Sequence, residues 1–175
     1  MIIRSLLATV LLVSGTGCLS FSDRGFRPVA REISRQAPQM ELRKEFAVSI
    51  GAGIINTLDL LAVGSEFDFS EVDKVQVAVY EIPHEVEFPE FDVAESLGAR
   101  DPSLSWEIVV QARDEEERTW VLMGIDHQRQ TVEAVSIMVL QRGELVLIHV
   151  DGGLQEMIEF AFRPARDRRG GINFS

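Results

Sequence analysis

Apolar residues recur at every second position along most of the chain beyond residue 42, a period typical of β-strands. In the first such stretch Phe46, Val48 and Ile50 share one face. Polar turns at residues 114–117 and 142–144 join the last four stretches into two hairpins. The pattern predicts six strands: Lys44–Ile50, Lys74–Ile82, Trp106–Arg113, Arg118–Ile125, Val132–Gln141 and Leu145–Val150.

Three further stretches carry apolar residues at helical spacing. In the last of them Leu154, Ile158 and Phe162 lie on one side of a helix. We predict helices over residues 54–63, 91–97 and 154–162, each followed closely by a glycine or proline that ends it. The resulting order, β-α-β-α-β-β-β-β-α, predicts an α+β fold, with a mainly antiparallel sheet and the short helices packed on one face.

The first seventeen residues have the layout of a bacterial export signal. Arg4 provides a positive start, residues 6–13 are apolar, and small residues at 14–17 precede Cys18. This apolar run is shorter than the roughly 20 residues that a membrane-spanning helix needs. We therefore predict a signal peptide over residues 1–17, with an uncleaved membrane anchor as an alternative.

The stretch Gly15-Thr16-Gly17-Cys18 resembles a bacterial lipobox. This resemblance implies cleavage before Cys18 and lipidation of Cys18 with fatty acids such as palmitate. By the sorting rule of that class, Leu19 at the next position favours the outer membrane. Ordinary signal peptidase would cut at the same bond and leave Cys18 as an unmodified thiol, so that alternative stays open.

The rest of the chain divides by composition. Residues 18–41 are broken by serine, glycine and proline, and between Arg24 and Lys44 six basic residues stand against two acidic ones. This composition predicts a lipid-anchored, flexible basic linker over residues 18–41, near anionic head groups, or a plain spacer. Residues 42–163 are expected to form a single α+β domain. Residues 164–175 are predicted to be a disordered basic tail.

Composition excludes several classes of function. The net charge of −11 and the pI near 4.7 disfavour a nucleic-acid partner. The single cysteine cannot form an internal disulfide or a zinc site with several thiolates. A chain of 175 residues can bury a sizeable core without either.

Residues capable of catalysis do not assemble into a recognisable motif. His84, His127 and His149 form no HExxH frame, and His149 lies in an apolar strand where a buried, hydrogen-bonded histidine or an outward-facing one is expected. Gly51-Ala52-Gly53 lacks the remainder of a phosphate-binding loop and predicts a turn between a strand and a helix. Trp106 and Trp120 are expected to pack across one hairpin. The sequence predicts no catalytic residues, no cofactor and no metal.

An acidic segment offers an alternative. Residues 66–95 contain ten carboxylates and one lysine, and oxygen-rich segments can bind calcium. The segment lacks the spacing of an EF-hand, so a solvated acidic loop is the simpler interpretation. The alternative function is a small metal-dependent envelope enzyme or cation-binding protein that uses this segment with His84 or His127.

Several strand patterns together resemble a known bacterial family. They are residues 48–50 before a helix, residues 75–80, residues 106–110, and residues 145–152 before a last helix. This arrangement resembles the domain-of-unknown-function family numbered 4252, which is commonly carried on exported lipoproteins. The resemblance covers roughly residues 42–162 and implies an exported, tethered α+β domain, with no activity or catalytic residues attached to it.

These observations predict a non-enzymatic, lipid-anchored protein of the cell envelope. Its partners would be the membrane, through the lipid on Cys18, and a protein or other component of the envelope. The small-molecule ligand, if there is one, is not indicated by the sequence.

Overall fold

The structure, a computed structural model, describes residues 19–55, 71–83, 88–155 and 158. Seven strands and two complete helices lie in this part of the chain, which also contains the helical residues 52–55. The strands are β1 (Leu19–Ser20), β2 (Arg43–Gly51), β3 (Val72–Glu81), β4 (Ser105–Arg113), β5 (Glu117–Asp126), β6 (Thr131–Gln141) and β7 (Glu144–Gly152). The helices are α1 (Arg27–Gln36) and α2 (Val93–Gly98).

The strands form one antiparallel sheet in the order β1-β2-β3-β7-β6-β5-β4. Strands β4 to β7 follow one another as a meander, and β7 inserts beside β3. The predicted α+β class with a mainly antiparallel sheet is confirmed. The described residues add β1 and α1 ahead of the first predicted strand.

The main core lies between one face of the sheet and the two helices. Small and aliphatic residues at alternate positions of the central strands face α1 and α2, because side chains of a strand alternate between its faces. Ala78, Leu147, Met138 and Leu122 line this face and are almost fully buried. Phe26, just before α1, packs against them.

A second, smaller cluster lies on the other face. Ile55 and Leu154 pack with Val72 and contact strand residues such as Val75 and Val150. The expectation that all the helices cover one face is therefore wrong for the described residues, since residues 52–55, which are helical, contribute Ile55 to the opposite side. The remainder of the helices predicted over 54–63 and 154–162 lies outside the described residues, apart from positions 154, 155 and 158.

The predicted flexible linker over residues 18–41 is wrong for residues 19–41, which belong to the folded domain. Pro28 occupies the first turn of α1, where its missing N–H removes no helical hydrogen bond. Val29 and Ile33 stand one turn apart and are fully buried. Pro38 follows the helix instead of interrupting it. Cys18, the leader over 1–17 and the tail over 164–175 lie outside the described residues.

Helix α2 is fixed at its start and joined to α1. The Asp92 carboxylate accepts a hydrogen bond from the Glu95 backbone N–H at 2.8 Å, which caps the helix. The Asp92 backbone N–H in turn donates to the Gln36 side-chain oxygen at 2.6 Å. The end of α1 is thereby tied to the beginning of α2 on the same face of the sheet.

Candidate functional site

A chain of polar side chains lies within the main core, between the sheet and the segment that precedes α1. Ser136 on β6 stands directly opposite His149 on β7, and Gln76 on β3 stands opposite His149 on its other side. Asp151 lies two residues beyond His149 and so shares its face of the sheet. We call Gln76, Arg100, Ser136, His149 and Asp151 the polar cluster.

Short contacts connect its members. The Ser136 Oγ lies 2.6 Å from the His149 Nδ1, and the His149 Nε2 lies 2.8 Å from an Asp151 carboxylate oxygen. The Arg100 guanidinium donates to Asp151 at 3.3 Å, to Gln76 at 2.6 Å and to the Gly25 carbonyl at 2.8 Å. One arginine thus connects β3, β7 and the chain leading into α1.

Burial and charge shift the pKa values of this cluster. Burial lowers the pKa of His149, and its hydrogen bond to Asp151 only partly opposes that effect. A neutral imidazole fits the contacts, with the Ser136 hydroxyl donating to Nδ1 and Nε2–H donating to Asp151. Burial alone would raise the pKa of Asp151, but the hydrogen bond from His149 and the charge of Arg100 hold it below its ordinary value.

A serine, a histidine and an aspartate in series are the components of acyl-transfer catalysis. Here Ser136 is 2% exposed and His149 is 1% exposed, and the rings of Phe26 and Trp106 lie against the imidazole. A nucleophile must reach its substrate, whereas this hydroxyl points into the core. The arrangement supports a structural role for the cluster, as a hydrogen-bonded link between strands and helices.

Acidification should destabilise the domain through His149. Because the folded-state pKa lies below the ordinary value of 6.5, the unfolded chain takes up the proton first as the pH falls. Stability is therefore complete above about pH 6.5 and decreases as the pH falls towards the folded-state pKa, by about 1.4 kcal/mol for each unit by which that pKa is lowered. Urea unfolding measured at several pH values between about 8 and 5 tests this expectation.

His127 provides the matched control, because it lies exposed in the turn between β5 and β6. His127→Gln should keep the pH dependence of the wild type, and His149→Gln should flatten it. Equal unfolding free energies at both ends of the pH range in the wild type would contradict the prediction.

A second feature is a cavity of about 320 Å³ between α1 and β2. We call it the α1–β2 pocket. Arg27 and Arg31 line it from α1, Lys44 from β2, and Tyr80 from the neighbouring β3. Asp23 is the acidic residue of the lining, and it pairs with Arg27 at 3.2 Å.

Arg31 and Lys44 are exposed, and neither forms an ion pair with any residue that the structure describes. The Tyr80 hydroxyl is fully buried beside Asp23. Burial, and then the negative charge of Asp23 and a hydrogen bond to it, raise the pKa of Tyr80, so this hydroxyl stays protonated. The pocket therefore offers two cations, Arg31 and Lys44, that pair with no acidic residue among those the structure describes.

Exposed apolar side chains are concentrated at the two edges of the sheet. At the β1–β2 edge, Leu19 is 50% exposed, Phe21 is 68% exposed and Phe46 is 46% exposed. At the opposite edge, Ile108, Val109 and Val110 of β4 are between 42% and 49% exposed. Both edges are consequently candidate contact surfaces.

The structure separates most of the residues that the sequence singled out. Gly51 ends β2 and helical residues 52–55 follow it directly, so the strand passes to a helix here as predicted, with the helix starting two residues before the predicted position 54. Trp106 stands opposite Gly124, and Trp120 stands opposite Gln111, so the expected cross-strand contact between the two tryptophans is wrong. Trp106 contacts His149 and Trp120 contacts Phe91.

The acidic segment over 66–95 is described only in part, and His84 lies outside the described residues. Asp92 caps α2, Glu95 pairs with Arg35 at 3.0 Å, and Glu90 approaches Arg113 at 4.0 Å. Within the described ranges, no group of three histidine, cysteine or acidic side chains could hold a metal ion.

Comparisons with known proteins add no relatives: no family model, curated protein or solved structure matches the chain. The resemblance to the family numbered 4252 thus stays a prediction. Among the described helices, none has the length and apolar character that crossing a membrane would require.

Proposed function

We propose that this chain is an exported, lipid-anchored protein of the bacterial cell envelope, and that its domain is a non-enzymatic binding or interaction module. The apolar leader and the small residues before Cys18 support export and lipidation. The observation that carries the proposal is the position of the domain relative to this cysteine. Strand β1 begins at Leu19, the next residue, and pairs with β2.

This position has a physical consequence for the anchored protein. Leu19 pairs with Ile50 and Ser20 pairs with Ser49, so the chain enters the sheet directly after Cys18. Two or three acyl chains on this residue would hold the protein durably on a bilayer, whereas one chain would not. With no linker between them, the lipid would keep the β1–β2 edge close to the membrane surface. Leu19 favours the outer membrane, by the sorting rule given above.

The opposite edge supports an interaction module. Strand β4 is the last strand of the sheet, and its outer side pairs with no other strand among the described residues. It displays Ile108, Val109 and Val110, and an exposed apolar edge strand can accept a strand from another protein. A lipid at one edge would leave the other edge free to bind an envelope protein.

Labelling with radioactive palmitate tests the anchor. Cells that produce the wild-type chain should incorporate label into it, and Cys18→Ala should incorporate none, because the thiol that accepts the lipid is absent. Cys18→Ser keeps a small polar residue at the cleavage site and should also remain unlabelled. Equal labelling of the wild type and Cys18→Ala, or of neither, would contradict the proposal.

A further inference from the structure

We propose that residues 159–169, which we call the C-terminal segment, lie across the second face of the sheet and cover it. The second face is the one opposite α1 and α2, where the smaller cluster lies. The apolar residues of the segment pack on the strands, and its arginines reach a row of glutamates at the far end of the face. The segment lies outside the described residues, and the inference is independent of the lipid on Cys18.

The second face carries apolar side chains across five neighbouring strands. Residues that pair across strands share a face, so the register places them in rows. The middle row consists of Val48, Val77, Ile148, Ile137 and Val121. The row beyond it, two residues away on each strand, runs from Phe46 on β2 to Thr119 on β5. No member of either row belongs to a buried cluster of the described residues, which makes this face a docking surface.

The described chain leads the C-terminal segment onto this face. Leu154 is fully buried in the smaller cluster, and its backbone N–H donates to the Val132 carbonyl of β6 at 3.0 Å. Ile158 packs against the same cluster, and its N–H donates to the Leu154 carbonyl at 3.0 Å, as in an α-helix. This cluster covers the row of Val75 and Val150, which is adjacent to the middle row.

The sequence beyond Ile158 continues the apolar stripe. In a helix, Phe162 falls on the same side as Leu154 and Ile158, one turn further on. Rows on one sheet face are about 6.6 Å apart along the strands, and four helical residues advance about 6 Å. On a helix that returns along the strands, Phe162 therefore reaches the row of Val77 when Ile158 lies on the row of Val75.

The far end of the face fits the arginines of the segment. Glu81 on β3 stands directly opposite Glu144 on β7, and Glu117 on β5 lies in the same row. None of the three forms an ion pair with a described residue, and like charges in direct opposition are unfavourable. Residues 163–169 contain four arginines and one aspartate. Four extended residues beyond Phe162 span about 13 Å, the distance of two rows, which brings these arginines to the glutamates.

Charge disfavours the other occupants of this face. Residues 56–70 also leave from it, after Ile55, but they contain three acidic residues and no basic one. An anionic membrane surface would be repelled by the glutamate row. A second copy of the chain offers the same apolar rows, yet its own glutamates add no positive charge. The C-terminal segment combines an apolar stripe with the required cations.

Cross-linking in the full chain tests this placement. Cys18→Ser removes the native thiol, and Ile148→Cys then provides a reactive position on the middle row. Phe162→Cys and Phe160→Cys provide matched second positions, because one falls on the stripe with Ile158 and the other on the opposite side of the helix. With a short bismaleimide, the Phe162→Cys pair should form an intramolecular cross-link about tenfold faster than the Phe160→Cys pair.

A second measurement tests the arginines through their partners. Arg166→Gln/Arg169→Gln should lower the melting temperature by about 2–4 °C. In the Glu81→Gln/Glu144→Gln background the same change should have no effect, because the partners of the arginines are absent. Arg129→Gln, in the turn between β5 and β6, is the control and should have an equal effect in both backgrounds.

Three results would overturn the inference. They are equal rates of cross-linking from positions 160 and 162, an arginine effect that persists without the glutamates, and a cross-link that joins two molecules instead of two positions in one. The last result would assign the second face to a second copy of the chain.

Discussion

Phe26→Ala should lower the free energy of unfolding by about 3–5 kcal/mol, as is usual when a buried phenylalanine is truncated. Phe26 is 1% exposed and belongs to the main core, although it precedes α1 in a segment with the composition of a linker. Its ring lies edge-on to His149 at 6.4 Å, and the Arg100 guanidinium lies over it at 5.3 Å. The variant therefore opens a cavity and removes a wall of the polar cluster.

Urea unfolding followed by tryptophan fluorescence measures this loss, because Trp106 and Trp120 are both buried. Arg31→Ala is the control within α1. Arg31 is exposed and unpaired among the described residues, so its replacement should change stability by less than about 0.5 kcal/mol. A loss for Phe26→Ala no larger than that of the control would mean that this segment is peripheral to the domain.

The strands could be predicted from the sequence because their information is local. Burial alternates along β3, β5, β6 and β7, which have one face in the main core, and the alternation is visible in the residues themselves. The predicted strand Lys44–Ile50 corresponds to β2, Arg43–Gly51, and the predicted strand Lys74–Ile82 corresponds to β3, Val72–Glu81. Antiparallel neighbours followed from the short polar turns.

The prolines in and after α1 prevented its prediction from the sequence. Pro28 and Pro38 suggest an interrupted chain, yet one lies in the first turn and the other lies beyond the last. The buried stripe consists of Val29 and Ile33 alone, because the helix has only ten residues. So short a stripe is distinguishable from chance only when the sheet that covers it is known.

The polar cluster is assembled mostly by strand register and long-range packing, which cannot be predicted from the sequence. Only one local signal exists, namely that His149 and Asp151 stand two residues apart in a strand and must share a face. Ser136 joins them through the register of β6 with β7, and Arg100 arrives from the segment after α2. Register and long-range packing are set by the whole core, so these partners could not be predicted individually.

The α1–β2 pocket was unpredictable for the same reason. The basic character of residues 24–44 was evident, and it suggested proximity to anionic head groups. What the sequence did not show is that α1 packs beside β2, so that Arg31 and Lys44 line one cavity with Tyr80.

Asp151→Ala should destabilise the domain by about 2–4 kcal/mol. The change removes the acceptor for His149 Nε2 and the carboxylate that faces Arg100, whose side chain is 11% exposed. A buried cation without its counter-charge is unfavourable, and hydrogen bonds to charged groups contribute about 1.5–3 kcal/mol each. The partial exposure of Asp151 lets water replace some of this interaction, which keeps the expected loss below that for a fully buried pair.

Asp73→Ala is the matched control, because Asp73 lies on β3, the strand next to β7, and its side chain is exposed. Its replacement should change the urea midpoint little. Asp151→Asn keeps the shape of the side chain, and its amide oxygen can still accept a hydrogen bond. Its loss of unfolding free energy should therefore lie between those of Asp151→Ala and Asp73→Ala.

A second substitution identifies which partner is responsible. The loss in Asp151→Ala is assigned to the charge of Arg100 that is left without a counter-charge if a second substitution relieves it. In that case Arg100→Met should lower the free energy of unfolding less in the Asp151→Ala background than in the wild type, because it removes the buried, unpaired cation. If the two losses simply add, the loss originates in the contacts of Asp151 with His149 and with Lys74, which lies 3.5 Å from its carboxylate. A loss for Asp151→Ala no greater than that for Asp73→Ala would instead show that the polar cluster does not hold the core together.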